Sequence, residues 1–129
     1  MSDPIVFVSH SRIKEGTLEG FKRLVNDVTA SIEAEKPRTL AWLGYLNDEG
    51  ARLTILHVFA DPAAFDLHLQ GVEDRSNAAA DYMEIERFEV FGRPSEQAMN
   101  GLRQEASDGG IELVVKPDFV GGFLRLPPT

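Results

Sequence analysis

The sequence predicts an α+β fold in which a sheet of four strands is covered on one side by two helices. Four segments have the β-branched and aromatic composition of strands. Two segments between them repeat apolar residues at the spacing of an amphipathic helix. The third strand is apolar on both faces, so we expect a cover on each side of the sheet.

The chain begins with a strand and a helix. The run "PIVFVSHSRI" (4–13) has strand composition and ends in a turn at Gly16. Thr17 is suited to cap a helix that ends before Pro37. The apolar side of this helix consists of Leu18, Phe21, Val25, Val28 and Ile32.

A predicted hairpin and a second helix follow. The strands "RTLAWLGYL" (38–46) and "ARLTILHVFA" (51–60) are joined by "NDEG", whose glycine can adopt a positive φ. Asp61 caps the second helix and Pro62 is its first residue. We expect this helix to fray through residues 71–81. Its apolar stripe consists of Phe65, His68, Leu69 and Val72.

The segment "MEIERFEVFG" (83–92) is predicted to be a fourth strand, and its charged residues indicate a sheet edge. In chain order, residues 4–93 give strand, helix, strand, strand, helix, strand, which is the βαββαβ pattern of the ferredoxin-like split sheet. The first and third strands are neighbours at its centre. We therefore expect one domain over residues 1–129, with its core at 4–93 and a C-terminal extension at 94–129.

The predicted extension consists of a short helix and a strand-like arm. Ser95 caps the helix within "PSEQAMNGLRQEAS", and two glycines stop it. In the tail that follows, Pro117 and a Gly-Gly pair interrupt a strand-like composition, which is typical of an arm. We expect Phe119 and Phe123 to pack this arm across the sheet or a partner subunit.

The third strand predicts a partner for the sheet. One face of this strand carries Leu53, Ile55 and Phe59, and the other face carries Leu56, Val58 and Ala60. Because the two helices cover one face only, the simplest cover for the second face is the same sheet of another copy. The sequence therefore predicts a homodimer that forms through the sheet face.

The amino-acid composition disfavours several classes of function. The chain carries 21 acidic and 13 basic residues, a formal charge of -8, which disfavours binding to nucleic acid or to anionic membranes. The absence of cysteine excludes disulfides and thiolate zinc sites, and it is typical of a cytoplasmic protein. No basic leader or membrane-length apolar run is present. Neither HExxH nor EF-hand spacing occurs, so we expect no metal. The dinucleotide-binding pattern GxGxxG is absent too.

Four stretches between residues 5 and 96 carry a resemblance. They are "VFVSHSRIKEGTLEGFKRL", "TLAWLGYLNDEG", "LHVFADPAAFDLHL" and "IERFEVFGRPS". In this order and spacing they resemble the antibiotic biosynthesis monooxygenase (ABM)-like family. The resemblance implies two ferredoxin-like subunits that pack sheet to sheet as a dimeric α+β barrel. It also implies a pocket in each subunit, between its sheet and its helices.

The resemblance also implies a chemistry. Several members oxygenate quinols or polyketide phenols without metal or flavin, so it implies a small aromatic ligand and no cofactor. Other members degrade heme with an Asn on the first strand, a Trp on the third and a His after the second helix. The matching positions here hold Ser11 and Phe59, and "DRSNAA" contains no His, which disfavours heme cleavage.

The two candidate catalytic residues are His57 and His68. By strand alternation, His57 shares a face with Ile55 and Phe59, and the resemblance implies that this face looks into the pocket. His68 lies on the apolar stripe of the second helix, so we expect the two imidazoles to converge above the sheet. Burial without a carboxylate partner disfavours imidazolium, so His57 should be neutral near pH 7 and accept a proton from a bound phenol or quinol.

Five further residues are predicted to contact substrate. Ser9 and Ser11 share a face of the first strand, which we assign to the pocket, although alternation also permits the reverse. The others are Phe59, Phe65 and Trp42.

All the candidate residues also fit ordinary packing, the histidines as hydrogen-bonded core residues. Three functions therefore remain open: a cofactor-independent monooxygenase, a non-catalytic dimer that binds a small ligand or a protein, and another pocket chemistry such as isomerisation or lactone handling.

Overall fold

The computed structural model describes residues 3–125, which form a five-stranded mixed sheet and four helices. In chain order the elements are β1 (Ile5–Ile13), α1 (Leu18–Glu35), β2 (Thr39–Leu46), β3 (Arg52–Phe59), α2 (Pro62–Leu69), α3 (Val72–Ala79), β4 (Met83–Phe91), α4 (Glu96–Gly109) and β5 (Glu112–Lys116). The strand order is β2-β3-β1-β4-β5. The α+β, ferredoxin-like prediction is confirmed, with β1 and β3 as neighbours at the centre.

The β1 strand organises the sheet. It pairs antiparallel with β3 and with β4, so that Phe7 lies opposite His57 on one side and Val90 on the other. A register shift between His10 and Ser11 interrupts the pairing with β4. The residues that alternate with Phe7 towards the helices are buried, which places the main core on that side of the sheet.

The prediction that the fourth strand is a sheet edge is wrong. The β5 strand pairs in parallel with β4, from Arg87 opposite Glu112 onward, so β4 is internal. Its alternating charges belong to the face that the helices leave open. On that face Glu84 forms an ion pair with Arg12, and an arginine of β3 pairs with Glu86. The charges thus mark a solvent-facing side of the strand.

The prediction of one fraying helix over residues 62–81 is also wrong. Two helices, α2 and α3, are separated at Gln70 and Gly71. Gln70 has extended geometry and Gly71 is left-handed with φ 83°, a conformation that glycine adopts without the Cβ clash of other residues. The break sets α3 in a new direction and removes Val72 from the stripe of α2.

The core has two apolar clusters on the helix side of the sheet. One joins β1, β3 and β4 to α2 and α4, with Phe7, Phe65 and Phe88 among its members. The other packs α1 on the remaining part of the sheet, with Phe21 and Ile55. Side chains of both clusters border one cavity, which therefore lies between them.

On the sheet face away from the helices, an apolar patch of β2 and β3 is uncovered within one chain, whereas the ion pairs of β4 lie on another part of this face. Leu43 and Tyr45 of β2 are 48% and 59% exposed there. Leu56 and Val58 lie beside them on β3, on the opposite face of the strand from its buried residues. In the tail, Phe119 and Phe123 are exposed, and their packing against a partner stays a prediction. No helix within residues 3–125 is long and apolar enough to cross a membrane.

Candidate functional site

The cavity between the sheet and the helices has a volume of about 130 Å³. An apolar cavity of this order accepts one benzene-sized ring. Most of its lining is apolar. The residues that bring polar or charged side chains to it are Ser9, His57, His68, Arg75, Ser76 and Glu105, together with the indole of Trp42. The cavity is thus a mainly apolar site with a few convergent polar groups, the usual form of a small-molecule site.

His57 is fixed by its place in the sheet. It lies between Phe7 of β1 and Trp42 of β2, and it is only 6% exposed. Its Nδ1 is 2.9 Å from the carbonyl oxygen of Phe7. Because a carbonyl can only accept, Nδ1 carries the proton of the neutral ring and Nε2 carries the lone pair. Nε2 has no hydrogen-bond partner within the described part of the chain, and His57 lines the cavity.

His68 converges on His57 from α2. The ring centroids are 5.2 Å apart and the ring planes are inclined by 69°. The Nδ1 of His68 is 3.5 Å from Thr39 Oγ1, which is long for a hydrogen bond. Phe59 packs behind both rings, with its centroid 5.0 Å from that of His68. The packing therefore holds the two imidazoles together at the cavity wall.

Both histidines are neutral at pH 7. Burial lowers the pKa of His57 to about 4, although the bond to Phe7 opposes the shift and the positive charge of Arg75 adds to it. Burial lowers the pKa of His68 to about 3, and the neighbouring His57, Arg75 and Lys36 contribute in the same direction. Each ring can therefore act as a proton acceptor.

Arg75 on α3 is one of three polar cavity residues that the sequence analysis missed, together with Ser76 and Glu105. Its Nη2 donates to the carbonyl oxygen of His68 over 2.5 Å, and its Nη1 donates to that of Gln70 over 3.2 Å. Partial burial lowers the pKa of Arg75, and the charge of Glu35 raises it. The only signal for this position is the glycine at 71, which restarts the helix and turns Arg75 inward.

The predicted substrate contacts divide into two groups. Ser9 and Trp42 line the cavity, and Phe7 beside Ser9 does so too, so this face of β1 is the pocket side. Ser11 is on the same face but is buried away from the cavity, and its hydroxyl has no partner in residues 3–125. Phe59 and Phe65 are 0% exposed and do not line the cavity. Packing therefore places these three side chains behind the cavity wall, and their contact with substrate stays a prediction.

A metal site is not formed by this arrangement. Over the described range 3–125, no group of three or more His, Asp or Glu side chains is placed to hold a metal ion. The two cavity histidines are accompanied by an arginine, which is not a metal ligand at neutral pH. The expectations that the protein uses no metal and no cofactor stay predictions.

Comparisons with known proteins give structural likeness only. No protein-family profile matches the chain, and no curated protein does. Among solved structures, MupZ from Pseudomonas fluorescens is 20% identical with a TM-score of 0.70, over 97% of this chain and 91% of that one. This match extends over most of the C-terminal helix and strand.

Two further solved structures match a smaller share of the chain. SnoaB, a cofactor-independent oxygenase from Streptomyces nogalater, is 20% identical with a TM-score of 0.58, over 73% of this chain and 96% of that one. A provisionally assigned antibiotic biosynthesis monooxygenase from Bacteroides thetaiotaomicron is 20% identical with a TM-score of 0.56, over 64% and 85%. The chain therefore has the ABM-like fold that the sequence resemblance implies.

Proposed function

We propose that this protein is a cofactor-independent monooxygenase of a single-ring quinol or phenol. The observation that carries the proposal is the state of His57. Its Nδ1–H is bound to the carbonyl of Phe7, so Nε2 of the neutral ring keeps its lone pair, and the residue lines an apolar cavity. A second neutral imidazole, His68, lies 5.2 Å away. An unprotonated imidazole at an apolar cavity can take up a proton from a bound hydroxyl group when the ligand raises its low pKa.

The chemistry begins with the proton. The hydroxyl of a bound hydroquinone donates to Nε2 of His57 and then transfers its proton there. The imidazolium and the anion stabilise each other in the cavity, which offsets the low pKa that His57 has without a ligand. In this proposal His68, whose ring centroid lies 5.2 Å from that of His57, binds the second hydroxyl of the ring.

Molecular oxygen then oxidises the electron-rich anion. One oxygen atom forms a bond to a ring carbon and the other leaves as water, so one hydroquinone and one O2 give one hydroxyquinone and one H2O. The substrate supplies all four electrons that O2 accepts. The fold is shared with SnoaB, which is described as a cofactor-independent oxygenase, and this likeness supports the proposal.

Oxygen consumption tests this function. Wild-type protein, treated with a chelator, is mixed with a panel of substituted hydroquinones in an oxygen electrode, and the hydroxyquinone is measured in parallel. We expect oxygen uptake above the buffer rate with one product formed per O2. A rate no faster than buffer for the whole panel would overturn the oxygenase function, and ligand binding without turnover would favour the non-catalytic alternative.

We also propose that the protein is a homodimer formed through the open sheet face. The support is the continuous apolar surface of β2 and β3, with Leu43, Tyr45, Leu56 and Val58, which no helix of the same chain covers. Contiguous apolar surface of this kind marks an interaction site. Sedimentation velocity tests the assembly. A monomer mass that does not change with concentration in the micromolar range would contradict it.

A further inference from the structure

Arg75 brings a positive charge to the cavity without a carboxylate to balance it. Two of its five N–H donors bind main-chain carbonyls, those of His68 and Gln70. No Asp or Glu oxygen lies within 4 Å of the guanidinium in the described part of the chain. The group is partly desolvated, which is costly for a charge with no carboxylate in direct contact, and the charge of the more distant Glu35 offsets only part of this cost.

The other groups around the cavity do not neutralise this charge. His57 and His68 are neutral, and both feel the charge of Arg75. Lys36 adds a second positive charge, and its Nζ binds the carbonyl oxygen of Leu67 at 2.8 Å. Glu105 of α4 also lines the cavity, and partial burial raises its pKa. Neither it nor Glu35 forms an ion pair with Arg75, so no carboxylate of the described residues occupies the remaining N–H donors of the guanidinium.

We propose that the cavity binds a single-ring aromatic acid, with the carboxylate of the ligand on the guanidinium of Arg75. A planar carboxylate matches the fork of guanidinium donors and forms charge-assisted bonds in this partly dry site. The apolar walls hold the ring, as the volume of about 130 Å³ permits. The inference deepens the proposed function by naming the substrate class, a phenolic acid whose hydroxyl group meets the histidines.

Trp42 makes the occupancy of the cavity directly measurable. It is the only tryptophan of the chain, it lines the cavity, and its ring centroid lies 6.2 Å from that of His57. The experiment titrates the protein without oxygen and follows tryptophan fluorescence at pH 7.5. The two probes are 4-hydroxybenzoate and 4-hydroxybenzamide, which share shape and hydroxyl group and differ in charge. We expect wild-type protein to bind the acid roughly tenfold more tightly than the amide.

Three variants separate charge recognition from a structural role. Arg75→Gln keeps one amide donor but removes the charge, so the acid-to-amide preference should fall to about one while the amide still binds. Arg75→Lys should retain part of the preference, because it keeps the charge but loses the fork. Arg103→Gln, on the exposed side of α4, is the matched control and should leave the preference unchanged.

The outcomes are decisive in both directions. The inference is overturned if wild type binds the acid no more tightly than the amide, or if Arg75→Gln keeps the full preference. Should Arg75→Gln fail to fold, the wild-type preference and its reduction in Arg75→Lys still decide. Because binding is measured without oxygen, a phenolic acid that binds through Arg75 but is never oxidised upholds this inference and contradicts the oxygenase. If the protein oxidises neutral quinols but binds the acid no more tightly than the amide, the oxygenase function is upheld and this inference is contradicted.

Discussion

His57 and Phe7 lie opposite each other in the β1–β3 pair, and Nδ1–H of His57 donates to the carbonyl oxygen of Phe7 over 2.9 Å. This single bond explains how an imidazole is tolerated in the run "LTILHVFA". It satisfies one ring nitrogen, whereas the other keeps its lone pair, in a residue that lines the cavity. A purely structural histidine in a core usually has partners for both nitrogens.

The first prediction concerns the pH dependence of folding. The pKa of each buried histidine is lower in the folded chain than its ordinary value of about 6.5. Below that value the unfolded chain binds protons that the folded chain does not, so stability should fall as the pH falls towards about 4. The expected slope approaches about 1.4 kcal/mol per pH unit for each histidine. Urea unfolding between pH 7.5 and 5 measures it.

Two variants control this measurement. His57→Phe should remove about half of the slope, because one of the two shifted groups is gone. Glu105→Gln should make the slope steeper. An acid with a raised pKa takes up its proton more readily in the folded chain than in the unfolded chain, so Glu105 stabilises the folded chain as the pH falls and opposes the effect of the histidines. A stability that is flat from pH 7.5 to 5 in wild type would show that the histidines are not neutral in the folded state.

The second prediction concerns the open sheet face. Leu43 on this face and Leu67 on α2 are leucines of similar exposure, 48% and 43%. Leu43→Glu should weaken the dimer at least tenfold, because it places a charge in the proposed interface. Leu67→Glu should leave the dimer unchanged, since α2 lies on the other side of the sheet. Equal effects of the two substitutions in sedimentation velocity would place the interface elsewhere.

The third prediction concerns the helix break that positions Arg75. Gly71 has φ 83°, and an added Cβ would lie 3.4 Å from an Arg75 Nη1 atom. Gly71→Ala should therefore cost about 1–2 kcal/mol of folding free energy and weaken binding of the aromatic acid. Gly101→Ala on α4 is the matched control, because a Cβ there meets no atom within 4 Å. It should stabilise the protein by up to about 1 kcal/mol. Urea unfolding of both variants distinguishes the two effects, and a stable Gly71→Ala protein would contradict the account of the break.

Periodicity in the sequence predicts which face of a strand or helix a side chain occupies. For this reason the sequence alone predicts that the imidazoles of His57 and His68 converge. Periodicity does not predict depth, so Phe59 and Phe65 were expected at the cavity surface although they are fully buried behind it. Arg75 escaped prediction because a single left-handed residue, Gly71, changes the direction of the helix.

Non-local pairing accounts for the remaining error in the fold. The charged residues of β4 match an edge strand, and nothing near them in sequence shows otherwise. The strand that covers the edge, β5, begins at Glu112, after the whole of α4. A parallel partner at this separation leaves no local signal in the strand it covers.

The proton-accepting role of His57 is the central claim, and oxygen uptake by its variants tests it most directly. His57→Gln can still donate to the carbonyl of Phe7 but provides no base, and His57→Phe keeps the ring shape while leaving that carbonyl unpaired, at a cost of about 1–3 kcal/mol. With a hydroquinone that wild type oxidises, we expect both folded variants to lose about 100-fold or more of the rate. Full wild-type oxygen uptake by folded His57→Gln or His57→Phe protein would contradict the claim and make His57 a structural residue of the core.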